Sequence, residues 1–472
     1  MEKNLKIVMD KVDILIIGSG PGGYVAAIRA AQLGLSVSVA EKDDLGGVCL
    51  NWGCIPTKAL LKSAQALHYS KNSKEYGVEI SGDVKPDISA IVARSRGVAG
   101  NMSRGVEYLF KKNGVNLIKG FASIVSPGEV KITADDGSVQ HISAKHIIVA
   151  TGASAASLPF APVDGKNVIS YRGALVPETI PSKIAVIGSG AIGSEFAWFY
   201  RSMGSEVVLI EYLDNIIPLE DEEVSAQLSR SFRKAGIKVM TSANVKGVSL
   251  DSGKPILTVE TKKGVETIEA DVVLSAAGVR PNTSGVGLEE VGVNMERGKI
   301  VVNSLYESSV KGIFAIGDVI NTPALAHVAS AEAIKCVEGI AGMTPEPIDY
   351  NNIPSCIYTS PEVASVGITE KAAKEKGINY RVGKFPFTAS GKAAAAGERD
   401  GFVKLIADAD TDEIIGAHLI GYNVTEIISG VVTARRLGVK AKDIINTIHP
   451  HPTISEAVME AAAAIHNEVI HI

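Results

Sequence analysis

A strand, a glycine-rich turn and a helix follow one another at two places in this chain, and this repeat restricts the possible folds more than any other feature. Each copy continues into a second strand that ends in an acid, Glu41 in the first and Glu211 in the second, 18 residues after the last glycine. One such turn is a weak signal, but two with matching acids predict two βαβ units that bind dinucleotides. The glycines of the turns are Gly18, Gly20 and Gly23 in the first copy, and Gly188, Gly190 and Gly193 in the second.

The two turns suit the same physical task. Glycine lets the backbone approach a pyrophosphate closely, and the start of the helix offers free N–H groups and the positive end of its dipole. Glu41 and Glu211 would then accept hydrogen bonds from ribose hydroxyl groups. Glu211 also disfavours a 2′-phosphate, and residues 212–227 contain no Lys or Arg that could reverse this preference. We therefore expect NAD rather than NADP at the second site. The alternative is that the glycines serve only the turns.

Cys49 and Cys54 are separated by four residues and follow directly after the first unit. A disulfide needs Cα atoms within about 7 Å, and a tight turn or a first helical turn provides this at such a spacing. The closed loop would be so short that it would stabilise the fold little. The spacing therefore favours a redox-active dithiol, with two unrelated buried thiols as the alternative. Its position would allow electron exchange with a flavin held at the first nucleotide site.

The composition is that of a globular chain with two to four domains. The chain has 472 residues, of which 46% are hydrophobic and 21% charged. The formal net charge of -5 comes without a Lys or Arg run, which argues against nucleic acid or an anionic membrane as a partner. No apolar run approaches the roughly 20 residues of a membrane span. Four cysteines are too few for a secreted disulfide framework, and no signal peptide is apparent, so we expect a cytoplasmic location.

Three more predicted strands end at residues typical of ligand-binding turns. These candidates are Thr151 and Gly152 after the strand 146–150, Gly278 after 272–277, and Asp318 after 312–316. From about Pro345 the pattern changes, because two strands at 403–407 and 414–420 are joined by a short polar turn and followed by a helix-rich tail. We expect a first nucleotide-binding domain with a second inserted into it, and then an α+β domain.

The C-terminal run contains a histidine that is set between two prolines. His451 has Glu456 five residues further on, as a base with an orienting carboxylate would have. His449 is the rival for this role. Lys58 lies four residues after Cys54 on the same helical face, where its charge would stabilise a thiolate. Cys336 and Cys356 have no redox partner in the sequence and are expected to be structural thiols. We predict no metal site.

The dithiol run, its Pro56-Thr57-Lys58 continuation and the double nucleotide fold resemble the flavin-dependent pyridine nucleotide-disulfide oxidoreductases, from about Val12 to Glu460. The resemblance implies an α/β fold with two Rossmann-like dinucleotide-binding domains, the second inserted into the first, followed by a C-terminal α+β dimerisation domain. The expected ranges are 1–152 and 280–348 for the FAD-binding domain, 153–279 for the NAD-binding domain and 349–472 for the dimerisation domain.

The resemblance also implies roles for individual residues. It assigns tightly bound FAD to the first glycine turn, to Glu41 and to Asp318, and exchanging NAD to the second turn. It pairs Glu195 with Lys58 near the flavin, and makes His451 and Glu456 the base and its partner. It places this C-terminal segment against the dithiol of the other subunit of a homodimer. It makes Cys49 the sulfur that meets the substrate and Cys54 the sulfur that faces the flavin.

Within the family the chain most resembles members that oxidise protein-bound dihydrolipoyl groups and reduce NAD. The implied partner is a separate lipoyl-bearing carrier protein of a 2-oxo acid dehydrogenase complex or of the glycine cleavage system. An alternative is another NAD(P)H-dependent disulfide reductase such as glutathione reductase, although Glu211 argues against NADPH. A mercuric reductase would carry a further cysteine pair near its C-terminus, and 461–472 contains none. A flavoprotein that serves mainly as a structural subunit of a larger assembly is the alternative of a different class.

Overall fold

A computed structural model describes residues 10–250 and 253–472. The chain divides into two compact units, each assembled from separated stretches. The first contains the described residues up to Ala59, with Ala90–Ala155 and Val279–Ile348, and the second contains Leu60–Ser89, Ala156–Gly278 and Asp349–Ile472. The four ranges expected from the sequence stay a prediction.

The predicted first βαβ unit is confirmed, with bounds that move by a few residues. Strand β1 (Asp10–Ile17) and strand β2 (Val37–Glu41) are parallel and are joined by helix α1 (Pro21–Gln32). The end of β1 is fully buried, as expected for a central parallel strand that is apolar on both faces. The following elements are α2 (Gly47–Asn51), α3 (Cys54–Lys71), α4 (Ile88–Asn113), β3 (Asn116–Lys119), β4 (Phe121–Ser126), β5 (Glu129–Thr133), β6 (Val139–Val149) and β7 (Ala153–Ala155).

The second βαβ unit repeats this construction. Strand β9 (Lys183–Ile187) and strand β10 (Glu206–Ile210) are parallel and are joined by helix α6 (Ala191–Met203). The predicted strand that starts at Val272 is shorter than expected and ends at Ser275. The remaining elements of this stretch are β8 (Val168–Ile169), α5 (Tyr171–Leu175), α7 (Glu222–Lys234), β11 (Ile237–Met240), β12 (Asn244–Ser249), β13 (Ile256–Thr261), β14 (Gly264–Glu269) and β15 (Val272–Ser275).

The chain then returns to the first unit before it enters the C-terminal region. The elements of the return are β16 (Val279–Pro281), β17 (Met295–Glu296), β18 (Lys299–Ile300), β19 (Ile313–Ala315) and α8 (Ala326–Ile340). Those of the C-terminal region are β20 (Ser355–Ile357), β21 (Glu362–Gly367), α9 (Glu370–Glu375), β22 (Tyr380–Pro386), α10 (Gly391–Ala396), β23 (Phe402–Asp408), β24 (Ile414–Gly421), α11 (Val424–Arg436), α12 (Ala441–Asn446) and α13 (Glu456–Ile465).

Three larger sheets organise these elements. In the first unit the order is β3-β2-β1-β6-β5-β4, and β19 also pairs with β6 in parallel. In the second unit a parallel sheet has the order β11-β10-β9-β15-β8, and an antiparallel sheet has the order β20-β21-β24-β23-β22. The predicted antiparallel pair β23 and β24 is therefore confirmed. Both glycine turns lie at the carboxyl ends of central parallel strands, the edge at which such sheets bind ligands.

Candidate active site

The first glycine turn joins the end of β1 to the start of α1. Gly18 has a φ of 99°, and a Cβ there would lie 2.5 Å from the carbonyl oxygen of Ala150. A Cβ at Gly23 would lie 1.9 Å from the carbonyl oxygen of Gly18, so both positions require glycine. Gly20 differs, because no atom of the described residues lies within 4 Å of its ideal Cβ. Open space therefore lies beside the N-terminus of α1, where backbone N–H groups can bind an anion.

The carboxylate of Glu41 braces this turn. Its Oε2 atom accepts hydrogen bonds from the N–H and the hydroxyl of Ser19, at 2.8 and 2.6 Å. Its Oε1 atom accepts from the N–H of Asp43 at 2.8 Å. The carbonyl oxygen of Ser19 in turn accepts from the N–H of Gly46 at 3.1 Å. The acid predicted to bind a ribose thus also fixes the turn and the start of the segment that carries the cysteines.

The second turn reproduces these contacts nearly atom for atom. A Cβ at Gly188 would lie 2.6 Å from the carbonyl oxygen of Ala276, and one at Gly193 would lie 1.9 Å from that of Gly188. Within the described residues, the ideal Cβ of Gly190 again has no atom within 4 Å. The two turns are therefore alike in shape and in the open space beside the helix.

The acid of the second copy is held in the same way as Glu41. Glu211 Oε2 accepts from the N–H and the hydroxyl of Ser189, at 2.9 and 2.6 Å, and Oε1 accepts from the N–H of Leu213 at 2.9 Å. The N–H of Ile217 donates to the carbonyl oxygen of Ser189 at 3.1 Å, as Gly46 does to Ser19. The sequence analysis overlooked both serines, although each stands between the first two glycines of its turn.

The remaining predicted nucleotide contacts lie close to the turns. The hydroxyl of Thr151 donates to the carbonyl oxygen of Asn282 at 2.7 Å, and the N–H of Asn282 donates to the carbonyl oxygen of Gly152 at 2.9 Å. Gly278 follows β15 with a φ of 103°. Burial raises the pKa of the Asp318 carboxyl above its ordinary value, against an opposing effect of Lys299.

Asp318 stands in a turn that the sequence analysis did not connect to helix α8. The N–H of Gly317 donates to Oε2 of Glu332 at 2.7 Å, and Glu332 is fully buried within α8. A buried carboxylate that holds a backbone N–H is a strong charge-assisted contact. Glu332 therefore fixes the turn from beneath, and an isolated acid in an alanine-rich helix was the available signal.

Both nucleotide sites fit the groups that the sequence implies. At each one, the open position beside the helix N-terminus (Gly20 or Gly190) leaves room for a pyrophosphate, and a braced acid stands at the end of the neighbouring strand. The first site also has Asp318, whose partly buried carboxylate is a suitable acceptor for hydroxyl groups. FAD at the first site and NAD at the second are therefore compatible with the residues present.

The predicted dithiol is brought together at the junction of two helices. Cys49 lies in α2, Cys54 is the first residue of α3, and their Sγ atoms are 2.7 Å apart. Gly53 forms part of the link, and a Cβ there would lie 3.1 Å from the carbonyl oxygen of Val48. A disulfide can therefore form here without movement of the helices.

The two thiols are not equivalent. Cys49 is the more buried, whereas Cys54 is exposed. The hydrogen bond with Cys54 raises the pKa of the Cys49 thiol, and burial and the charge of Cys54 add to this. The charge of Lys58 acts in the opposite direction, as predicted from its place on the helix. Only one of the two sulfurs is therefore expected to be a thiolate at a time.

The predicted base and its partner are in contact. The Nδ1 atom of His451 lies 2.8 Å from Oε1 of Glu456, and Oε2 of Glu456 accepts from the N–H of Thr453 at 2.7 Å. Burial tends to raise the pKa of Glu456, but the hydrogen bonds from Thr453 and His451 outweigh it and lower the pKa. His449, the rival, instead contacts the carbonyl oxygen of Thr447 at 2.9 Å. The geometry therefore favours His451.

Glu195 and the two remaining cysteines occupy interior positions. Glu195 is buried in α6, and its Oε1 atom accepts from the N–H of Tyr358 at 3.0 Å. Lys58 and Glu195 belong to different compact units, and their pairing stays a prediction. Cys336 is fully buried, and burial raises the pKa of its thiol, whereas Cys356 is partly buried.

Two negative findings apply to residues 10–250 and 253–472. Within these ranges, no group of three or more His, Cys, Asp or Glu side chains could hold a metal ion. No helix in the same ranges is long and apolar enough to cross a membrane.

The site defines a class of protein. Residues 12–333 match the family model described as pyridine nucleotide-disulphide oxidoreductase, and residues 353–462 match the model of the dimerisation domain of that family. The chain belongs to the pyridine nucleotide-disulphide oxidoreductase family. The predicted fold, with its nucleotide-binding domains and dimerisation domain, is confirmed. Membership implies FAD and a pyridine nucleotide as cofactors, and the dimerisation domain supports a homodimer.

Within this family the chain is similar to dihydrolipoyl dehydrogenases over nearly its whole length. It is 46% identical to the dihydrolipoyl dehydrogenase of Rhizobium etli, over 98% of this chain and 99% of the relative. It is 44% identical to the mitochondrial dihydrolipoyl dehydrogenase of Pisum sativum, over 98% of this chain and 93% of the relative. The crystal structure of LpdA from Mycobacterium tuberculosis has a TM-score of 0.89 at 28% identity, over 96% of this chain and 99% of that one.

Proposed function

We propose that this chain oxidises protein-bound dihydrolipoyl groups to lipoyl groups and reduces NAD to NADH, the activity after which its relatives are named. The observation that carries the proposal is the Cys49–Cys54 pair, whose Sγ atoms lie 2.7 Å apart behind a nucleotide-binding turn. The pair supplies the dithiol-disulfide chemistry. The similarity to dihydrolipoyl dehydrogenases at 43–47% identity supplies the substrate.

The reaction begins at the oxidised Cys49–Cys54 pair. His451, oriented by Glu456, takes the proton of one substrate thiol. The resulting thiolate attacks Sγ of Cys49, and Cys54 leaves as a thiolate. The second substrate thiol loses its proton and attacks the substrate sulfur of the mixed disulfide, which closes the lipoyl ring and releases Cys49. Two electrons have then moved from the substrate to the cysteine pair.

The assignment of the two sulfurs follows the resemblance. Cys49 is the sulfur that the substrate attacks, and Cys54 is the sulfur from which the electrons leave the pair. Bound FAD, held tightly at the first turn, supplies the two-electron relay from the dithiol to NAD, which exchanges at the second turn. Lys58 favours the thiolate by its charge, and we assign Glu195 as its partner.

Glu211 supports NAD over NADP at the second turn. Its carboxylate is already held by Ser189 and Leu213, so it cannot turn away from a 2′-phosphate without losing hydrogen bonds. A 2′-phosphate would place two negative groups together, which is costly in a partly buried site. This preference argues against the alternative of an NADPH-dependent glutathione reductase.

The biological setting follows from the substrate. We propose a homodimer in which His451 of one subunit serves the dithiol of the other, docking to a lipoyl-bearing carrier in the cytoplasm. The ranges 1–152 with 280–348, 153–279 and 349–472 are proposed as the FAD-binding, NAD-binding and dimerisation domains. A purely structural role in a larger assembly would not require the cysteine pair or His451.

The test is anaerobic addition of two electrons to the purified yellow protein. A long-wavelength absorption band that depends on a thiolate beside the flavin should appear, and should be absent in Cys54→Ser. Absence of flavin, or of the band in the wild type, would overturn the chemistry. Substrate choice is measured separately with dihydrolipoamide and NAD against glutathione and NADPH. Activity with the second pair alone would overturn the proposed substrate.

A further inference from the structure

Helix α4 holds the backbone of the segment that carries the dithiol. We call residues 45–59 the redox segment. Three successive residues of α4 donate side-chain hydrogen bonds to its carbonyl oxygens, and Ser103, two turns further on, donates to another. The pairs are Arg94 to Ala59 at 2.8 Å, Ser95 to Pro56 at 2.9 Å, Arg96 to Asn51, and Ser103 to Leu45. These contacts lie on both sides of the cysteines.

One of these residues also contacts the link between the two cysteines. The guanidinium of Arg96 lies 4.3 Å from the ring centroid of Trp52, a cation–π contact. The same guanidinium donates through Nη1 to the carbonyl oxygen of Asn51, the residue before Trp52. A planar group can make both contacts at once, which an ammonium on a flexible stem does less well. The link is thereby held at two consecutive residues.

The link controls the distance between the sulfurs. Cys49 belongs to α2 and Cys54 begins α3, so the residues between them set how the two helices meet. The side chain of Asn51 strengthens the same point, since its Nδ2 atom donates to the carbonyl oxygen of Leu45 at 2.8 Å. Trp52 has no part in the proposed chemistry, and its contact with Arg96 gives the ring a role.

We infer that Arg96 and Trp52 are positioning residues that keep the link between Cys49 and Cys54 in the shape from which the disulfide closes. This inference rests on the proposed function, because it concerns the same dithiol. The clamp lowers the freedom of the reduced pair, so that closing the disulfide costs little further entropy. Its loss should make the disulfide less favoured and the couple easier to reduce.

The test is the thiol–disulfide equilibrium of Cys49 and Cys54 in the flavin-loaded protein. The protein is equilibrated anaerobically with dithiothreitol buffers, alkylated and analysed by mass. In Arg96→Met and in Trp52→Leu the equilibrium constant for disulfide formation should fall by about tenfold, which is about 30 mV for a two-electron couple. Trp52→Phe keeps an aromatic ring and should stay within about twofold of the wild type.

Arg104→Met is the matched control. Arg104 lies on the same helix and carries the same charge, but it is exposed and donates to Asn101 of its own helix. A wild-type equilibrium in Trp52→Leu, or an equal shift in Arg104→Met, would overturn the inference. Should Arg96→Met lose its flavin, the two Trp52 variants decide the question. A wild-type protein that prefers glutathione and NADPH would overturn the proposed substrate and leave this equilibrium unaffected.

Discussion

Nδ1 of His451 faces Oε1 of Glu456 at 2.8 Å, and the second carboxylate oxygen is held by the backbone N–H of Thr453. A carboxylate at Nδ1 favours the tautomer that carries its proton there, which leaves Nε2 free to accept a proton. The hydrogen bond from Thr453 keeps the carboxylate in place when the imidazole becomes charged. The pair is therefore arranged to hold a proton at His451.

The first prediction concerns this pair. His451→Gln should lower kcat for dihydrolipoamide oxidation by about 10²- to 10⁴-fold, the usual contribution of a general base. Glu456→Gln should lower it less, because the imidazole remains. The measurement is steady-state kinetics with saturating NAD. His449→Gln, which removes the neighbouring ring, should stay within about threefold of the wild type, and a larger loss there would transfer the role to His449.

The second prediction concerns Lys58 and the reactivity of Cys49. The charge of Lys58 lowers the pKa of the Cys49 thiol, so Lys58→Met should raise it. The alkylation rate of the reduced protein, followed by mass spectrometry against pH, should then rise at higher pH than in the wild type. Lys62→Met removes a charge one turn further along α3 and serves as the control. A curve for Lys58→Met that overlays the wild type would refute the electrostatic role.

The third prediction separates two glycines of the second turn. A Cβ at Gly193 would meet the carbonyl oxygen of Gly188 at 1.9 Å, so Gly193→Ala should distort the turn and lower the thermal midpoint by several degrees. Gly190→Ala meets no atom of the described residues within 4 Å and should keep the midpoint. It should still weaken NAD binding by tenfold or more, because the methyl group occupies space beside the helix N-terminus. Calorimetric titration with NAD checks this, and undiminished binding would place the nucleotide elsewhere.

The fourth prediction concerns a buried lysine in the second unit. Lys404 is 1% exposed and lies 3.0 Å from Asp221, 3.2 Å from Glu223 and 2.7 Å from Glu370. Lys404→Met leaves buried carboxylates without their cation and should cost about 3–5 kcal/mol in the free energy of unfolding. Lys374→Met removes an exposed partner of Glu370 and should cost about 0–1 kcal/mol. Urea unfolding of both variants measures the difference, and equal losses would contradict it.

The fifth prediction follows from the pKa of Glu370. Hydrogen bonds from Lys404 and Lys374 lower it from 4.5 to about 2 in the folded protein. The stabilisation is therefore complete above pH 4.5 and is lost as the pH falls towards 2. Glu370→Gln should be less stable than the wild type at pH 6, and the gap should narrow below pH 4. Thermal unfolding across this range checks the sign, and a gap that widens in acid would contradict it.

Much of the site is predictable because its signals are local. A glycine turn, the acid that follows it and a closely spaced cysteine pair each lie within a few tens of residues, and the structure reproduces them. The pairing of His451 with Glu456 is local in the same sense, since the two residues lie five apart.

Other contacts depend on the tertiary fold and leave no mark in the local pattern. Arg96 meets Trp52 from a helix 44 positions further along the chain, and Glu332 reaches Gly317 across a turn. The sequence presents Arg96 as an ordinary polar residue of a long helix. Only the packing of α4 on the redox segment brings it to the dithiol.

The near identity of the two glycine turns has a consequence for cofactor choice. Since Ser19 and Ser189 hold their acids in the same way, the turns themselves cannot tell a flavin from a nicotinamide. The copies diverge where the chain leaves the acid: Gly46 leads into the cysteines, whereas Ile217, at a φ of 41°, makes the same contact and leads into α7. One scaffold thus serves two dissimilar cofactors, and redesign of either site should begin in these departing segments.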